Sequence, residues 1–340
     1  MKDNIYNLTF KEMENYFINM GENPFKARII YKYLYREKIS SFEEIKELKA
    51  SVIERLNKDF VIELPKLKDI SEDESVIKLL ISLCDDNLIE SVLMRQKYGN
   101  SICVSTQVGC NMSCAFCQSG KFKKQRNLTA AEMVSEVMFM EKTLNQRIST
   151  IALMGIGEPL DNFDNVQRFI EIVSSDYGLG IGVRHITLST CGLAPRIIEL
   201  ANSKKPVPLA ISLHAPNNSL RDTIMPVNRA YRLNELREAM LYYTEKTKYK
   251  IFIEYIMIKD VNDSNTNAKE LADYLQGINC TVNLIPYNET QSFDFKRSPR
   301  ENILAFYDVL KKNNIHVTMR RELGTSVKAA CGQLKSEYLS

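Results

Sequence analysis

From residue 101 onward, short apolar runs rich in β-branched residues alternate with longer stretches of helical periodicity. No other feature narrows the fold as far. SICVSTQV (101–108) reads as a strand. TAAEMVSEVMFMEKT (129–143) reads as a helix, opened by a Thr129/Glu132 capping box and packed through Met133, Val137 and Met140. TIALM (150–154), RHITLS (184–189), PLAISL (208–213), KIFIEYIMI (250–258) and TVNLIP (281–286) follow as strands. Helices are expected after them near 164–175, 195–203, 234–246, 265–276 and 299–313, and HVTMR (316–320) is a last strand. That makes six β–α units. Such apolar strands suit a buried parallel sheet, and right-handed crossovers curl the units into a partial (β/α)6 TIM-type barrel. A flat doubly wound α/β sheet is the alternative.

The barrel domain is thus expected over 101–340. Residues 1–75 read as a small helical module with an RNA-binding role, and 76–100, holding VIKLLISLC and LIESVLM, as a β-rich connector. In the module, Phe25, Ile29 and Tyr33 fall on one helical face, with Lys26, Arg28, Lys32 and Arg36 on the polar side. Ser40 or Ser41 offers an N-cap to SFEEIKEL. No run of about 18 apolar residues suggests a membrane span, and MKDNIYNLTFKEM lacks the apolar centre of a signal peptide, so a cytoplasmic protein is expected. In a reducing compartment, clustered cysteines point to metal or redox chemistry.

The unusual residues follow the strands. GCNMSCAFCQSG (109–120) comes after the first, GIGEPLDN (155–162) after the second, then Ser189 with TCG, Ser212 with LHAP, and Asn288 in YNE. In a parallel barrel these strand ends share one rim, where active sites lie. Cys110, Cys114 and Cys117 are spaced C-x3-C-x2-C. A structural zinc site wants four ligands, and Cys103, inside a strand, is poorly placed to be the fourth. An iron–sulfur cluster held by three thiolates keeps one iron open to an exogenous ligand. The glycines of GIGEP permit close approach of a ligand, and Glu158 can hold a ligand ammonium.

C-x3-C-x2-C on a first barrel strand and a G-E-P loop on the second resemble the radical S-adenosylmethionine (SAM) enzymes. CVSTQVGCNMSCAFC, NLTAAEM, MGIGEPLDN, HITLSTCG, ISLHAPNN, IEYIMIKDVND, NLIPYN and AACGQL together resemble the RlmN/Cfr family of RNA adenine methyltransferases, and SSFEEIKEL resembles that family's N-terminal module. The likeness covers nearly the whole chain and is closer to RlmN.

The resemblance implies a [4Fe-4S] cluster on Cys110, Cys114 and Cys117, and two SAM molecules per turnover positioned by Gly157, Glu158, Ser189, Ser212, Leu213, His214 and Asn288. It implies that Cys331 carries the transferred methyl group and that Cys103 resolves the RNA adduct by forming a disulfide with Cys331. Glu90, in LIESV, matches the base that takes the C2 proton. The product would be C2-methylated adenosine in 23S rRNA and, in some members, in tRNA beside the anticodon. An electron donor such as a flavodoxin or ferredoxin, a monomeric state and no membrane association are also implied. Two alternatives remain at this stage: C8 methylation of the same adenosine, as in Cfr-like resistance enzymes, and a non-catalytic metal-bearing RNA-binding protein. Cys84, Cys191 and Cys280 match no reactive motif and read as packing residues. Gln118-Ser119-Gly120 and Ser326-Val327-Lys328 depart from the family pattern. The cation clusters at 121–126, at 229–232 and at Arg320–Arg321 suit a polyanionic partner, although any one alone reads as solvated surface.

Overall fold

A computed structural model describes residues 2–290, 293–320 and 333–334. The chain starts with β1 (Asp3–Asn4), α1 (Phe10–Asn19), α2 (Lys26–Lys32), α3 (Ala50–Asp59) and β2 (Phe60–Val61), the two short strands pairing in parallel. Thr9 caps α1 in a capping box with Glu12, whose carboxylate also meets Arg168 of the barrel at 2.6 Å. The buried side of α2 and the turn after it is Ala27, Ile30, Tyr31, Leu34 and Tyr35. The expected Phe25–Ile29–Tyr33 face is therefore not the packed one. Phe25 sits ahead of the helix and is 56% exposed.

Helical structure in the first 75 residues ends at Asp59. The stretch after it, read as part of a helical module, contains β3 (Lys66–Glu72). β3 pairs antiparallel with β4 (Val76–Ser82), which pairs with β5 (Leu88–Gln96) and that with β6 (Gly99–Cys103). The first long strand is shorter than SICVSTQV; its end forms a separate pair, β7 (Gln107–Val108) with β8 (Arg126–Asn127), which brackets the cysteine loop. Then come α4 (Ala130–Leu144), β9 (Ile148–Leu153), α5 (Phe163–Val173), β10 (Ile186–Thr190), α6 (Ala194–Asn202) and β11 (Leu209–Ser212). The chain continues through α7 (Asn218–Ile224), α8 (Leu233–Thr247), β12 (Ile251–Met257), α9 (Asn265–Leu275), β13 (Cys280–Pro286), α10 (Arg300–Lys312) and β14 (Val317–Met319).

The main sheet has ten strands in the order β14-β13-β12-β11-β10-β9-β6-β5-β4-β3. All pairings from β6 to β14 are parallel, so the β–α units form a partial barrel and the antiparallel β3–β5 extend the same sheet. The register assigns the two faces. On the outer face Leu79, Ile81, Ile89, Leu93 and Ile102 join the large core with the helices. On the inner face Lys78 lies opposite Val92, Leu80 opposite Glu90, and Val92 opposite Cys103, which in turn lies opposite Ala152. Further round, Ser212, Glu254, Asn283 and Thr318 form a polar row across four strands. Among the described residues no helix is long and apolar enough to cross a membrane.

Candidate active site

The C-terminal ends of the parallel strands surround one cavity. Cys110, Cys114 and Cys117 line it with Gly157, Glu158, Ser189, Ser212 and His214. The sequence predicts these residues on one rim, and the fold brings them together. Leu213 and Asn288 are not among the described lining residues. Leu213 is fully buried and contributes its backbone instead, its N–H donating to the Glu254 carbonyl (3.1 Å). Asn288 is half-buried, two residues past β13. Cys331 lies outside the described residues.

The cysteine loop is anchored at both ends. The Cys110 N–H donates to the Phe122 carbonyl (2.8 Å) and the Ala115 N–H to the Ile224 carbonyl (2.9 Å). Burial pushes the Cys110 thiol up to about 12 and the Cys114 thiol well above its ordinary value, and Coulombic repulsion within the triplet adds to both. Three thiols close enough to repel one another in a buried cavity are a site that binding a cation would stabilise, by drawing off their protons. No three His, Cys, Asp or Glu side chains among the described residues converge tightly enough to hold a single metal ion.

Glu158 is 3% exposed, and both its oxygens are engaged. Oε1 accepts from the Leu160 N–H (3.0 Å) and Oε2 from the Cys191 N–H (2.8 Å). Burial still pushes its acid above the usual carboxylate range. A carboxylate has about four acceptor positions, so an incoming ammonium can be bound beside these amides. Gly157 has φ +109°, and a Cβ there would lie 2.7 Å from the Gln107 Cβ. The glycine is needed for packing against the protein's own 105–107 segment as well as for any ligand.

His214 is buried with φ 58°. Its Nδ1 accepts from the Ile256 N–H (3.1 Å), which leaves the ring proton on Nε2. Burial first, then Arg221, lowers its pKa to about 3. The ring packs edge-on to Phe116 of the cysteine loop, centroids 4.8 Å apart.

Four residues of this site escape the sequence reading. Arg221 is completely buried and ties two strand ends together, donating to the carbonyls of Leu213 (3.1 Å), Cys191 (2.6 Å) and Ser212 (3.3 Å). Glu254 lines the cavity, accepts from Asn283 Nδ2 (2.9 Å) and lies 3.8 Å from Arg320. A carboxylate inside IFIEYIMI was the available signal. Arg320, read as part of a surface cation pair, lines the cavity wall instead. Cys191, read as packing, also lines it.

The other two described sequence candidates lie on the inner face of the sheet. Cys103 packs with Val76, Val92, Ile156 and Leu334 in a small apolar cluster. Met154 touches that cluster and also lines the cavity. Glu90 is 4% exposed and pairs with Lys78 at 3.1 Å. Ser119, in the unusual QSG stretch, donates from its hydroxyl to the Leu334 carbonyl (2.8 Å). Of the cations at 121–126, Lys124 pairs with Asp161 (2.7 Å), and Arg126 with Asp85 (2.7 Å) and Glu132 (2.8 Å). That half of the basic stretch braces the loop.

Residues 104–272 match the Radical SAM superfamily, and residues 3–62 match the ribosomal RNA large subunit methyltransferase N-terminal domain. The fold is similar to the crystal structure of a radical SAM methyltransferase from Sphaerobacter thermophilus, with TM-score 0.93 and 36% identity over 98% of this chain and 100% of that one. Partial barrel, thiol triplet and matches together define a radical SAM enzyme, whose class cofactors are a [4Fe-4S] cluster and SAM. The chain is 47% identical over 338 residues to a "probable dual-specificity RNA methyltransferase RlmN" of Clostridium perfringens, covering 99% of this chain and 97% of that protein. It is 48% identical over 348 residues to a protein of the same description from Streptococcus gordonii, covering 100% and 96%. The chain belongs to the RlmN family of RNA methyltransferases.

Proposed function

We propose that this protein methylates C2 of an adenosine in 23S rRNA, and in tRNA beside the anticodon, by passing the methyl group through Cys331. The reading is carried by one observation: Cys110, Cys114, Cys117, Glu158, Ser189 and Ser212 meet in a single cavity that shares Met154 with the patch holding Cys103. The relatives' description as dual-specificity RNA methyltransferases and the N-terminal match support RNA as the substrate. Such a substrate places the enzyme in the cytoplasm, with a flavodoxin or ferredoxin as electron source.

C2 of adenine is electron-poor and does not attack a sulfonium methyl. The cluster and SAM, when bound, supply a deoxyadenosyl radical that takes hydrogen from a methyl group. Cys110, Cys114 and Cys117 would hold the cluster. Glu158 would receive the ammonium of SAM, with Gly157, Ser189, Ser212, Leu213, His214 and Asn288 around it. Cys331 Sγ takes its methyl from a first SAM, so each turnover uses two. After the methyl-derived carbon of Cys331 bonds to C2, the adduct holds one unpaired electron, which the bound cluster would take up, and Glu90 accepts the C2 proton. The Cys103 thiolate then attacks Cys331 Sγ, the sulfur–carbon bond breaks with its electron pair going to the methylene carbon, which takes a proton to become the methyl group, and the disulfide formed is reduced by an external dithiol.

Anaerobically purified protein should be brown, with roughly four irons and four sulfides per chain. Cys331→Ala should keep that iron and lose methyl transfer to RNA. Stoichiometric zinc without iron, or full turnover by Cys331→Ala, would overturn the reading.

A further inference from the structure

Lys78 and Glu90 stand on adjacent antiparallel strands, β4 and β5, with Lys78 opposite Val92 and Glu90 opposite Leu80. Both side chains therefore point to the inner face, the face of Cys103 and Ala152. The Nζ–Oε1 distance is 3.1 Å, and the side chains are 16% and 5% exposed. Around them the floor is apolar: Val76, Val92, Ile156 and Leu334 are buried with Cys103, and Met94 packs against them. Asp69 of β3, opposite Leu80, and Cys103 of β6 are the other titratable groups that the register brings to this part of the face.

A buried ion pair is a poor way to stabilise an apolar surface, because desolvation cancels much of the attraction; well-packed apolar residues serve as well or better. The pair is better explained by what it does to Glu90. A carboxyl buried without a cation favours its neutral form, and a neutral acid cannot accept a proton. A carboxylate of α4, bonded to the chain just past β6, carries the contrast. Glu136 accepts from the Ser105 N–H (3.1 Å), is not ion-paired with any described cation, and is pushed well above the carboxylate range by burial.

We infer that Lys78 is a positioning residue for the proton-accepting step: its ammonium keeps the Glu90 carboxylate ionised and holds it on the inner face beside Cys103. The inference rests on the reading of Glu90 as the base. No bond to carbon is made or broken by Lys78; the C2 proton goes to Glu90 and Lys78 keeps its own.

The test uses iron-loaded enzyme and measures two events separately, methylation of Cys331 by intact mass and methylation of RNA as a function of pH. Lys78→Met should leave Cys331 methylation at the wild-type level. Its RNA methylation should fall about tenfold or more near neutral pH and recover as pH rises, because the acid limb of the profile moves up. Lys78→Arg, which keeps the charge, should stay near wild type. Adding Lys78→Met to Glu90→Gln should cost nothing further, since one residue acts through the other. An unchanged Lys78→Met profile overturns the inference, and so does joint loss of Cys331 methylation, which would make Lys78 a folding residue. If Glu90→Gln itself retains RNA methylation, the reading of Glu90 as the base fails instead.

Discussion

Arg221 shows how single residues set this site. Its guanidinium satisfies the Leu213, Ser212 and Cys191 carbonyls and Asn228 Oδ1 with no solvent exposure. Arg221→Met should leave those acceptors buried and unpaired, destabilising the fold by about 3 kcal/mol or more in urea unfolding. His214 makes a pH prediction. Its pKa falls from 6.5 to about 3 on folding, so its contribution is full above about 6.5 and is lost as pH falls toward 3. The melting temperature of iron-free wild type should drop more between pH 6.5 and 4 than that of His214→Gln; equal slopes would contradict a buried neutral imidazole. At this scale the sequence was legible where a motif marks the residue, as for Cys110, Glu158 and Ser212. Arg221 and Glu254 were not legible, because their partners come from other strands and local spacing carries no trace of them.

At the scale of elements, the helices α4 to α6 and α8 to α10 were readable to within one or two residues, because a buried helical face repeats within its own stretch. Lys66–Glu72 was not, since KLKDISE is an exposed edge strand with no apolar alternation and gains its conformation from pairing with Val76–Ser82. Phe25 misled for a related reason: the periodicity is real, but the residue precedes the helix it was assigned to. Gly157→Ala combines a left-handed φ with a contact to Gln107, so it should cost about 1–3 kcal/mol and weaken SAM binding measured by equilibrium dialysis. The QSG stretch has a structural use, because Ser119 holds the Leu334 carbonyl. Ser119→Ala should lose about 1 kcal/mol at that contact and speed amide exchange in the C-terminal peptide without changing iron content. Unchanged exchange would show the contact to be incidental.

For the whole molecule, the partial barrel gathers sulfur and polar groups from strands far apart in sequence onto one inner face, and the antiparallel extension adds Glu90 and Lys78 to it. The net charge of +3 does little to attract RNA, and Lys124 and Arg126 are engaged in ion pairs within the protein. Phosphate contact then falls to fewer cations than the sequence suggested, and RNA affinity should decline with salt less steeply than four contacts at 121–126 would give. In the proposed mechanism a methyl group reaches adenine C2 after losing a hydrogen atom while attached to Cys331. Nucleoside mass spectrometry of RNA treated with iron-loaded enzyme and SAM bearing a CD3 group tests it in one measurement. The expected product is 2-methyladenosine whose new methyl keeps two of the three deuterons. An intact CD3 group, or methylation at C8, would contradict it.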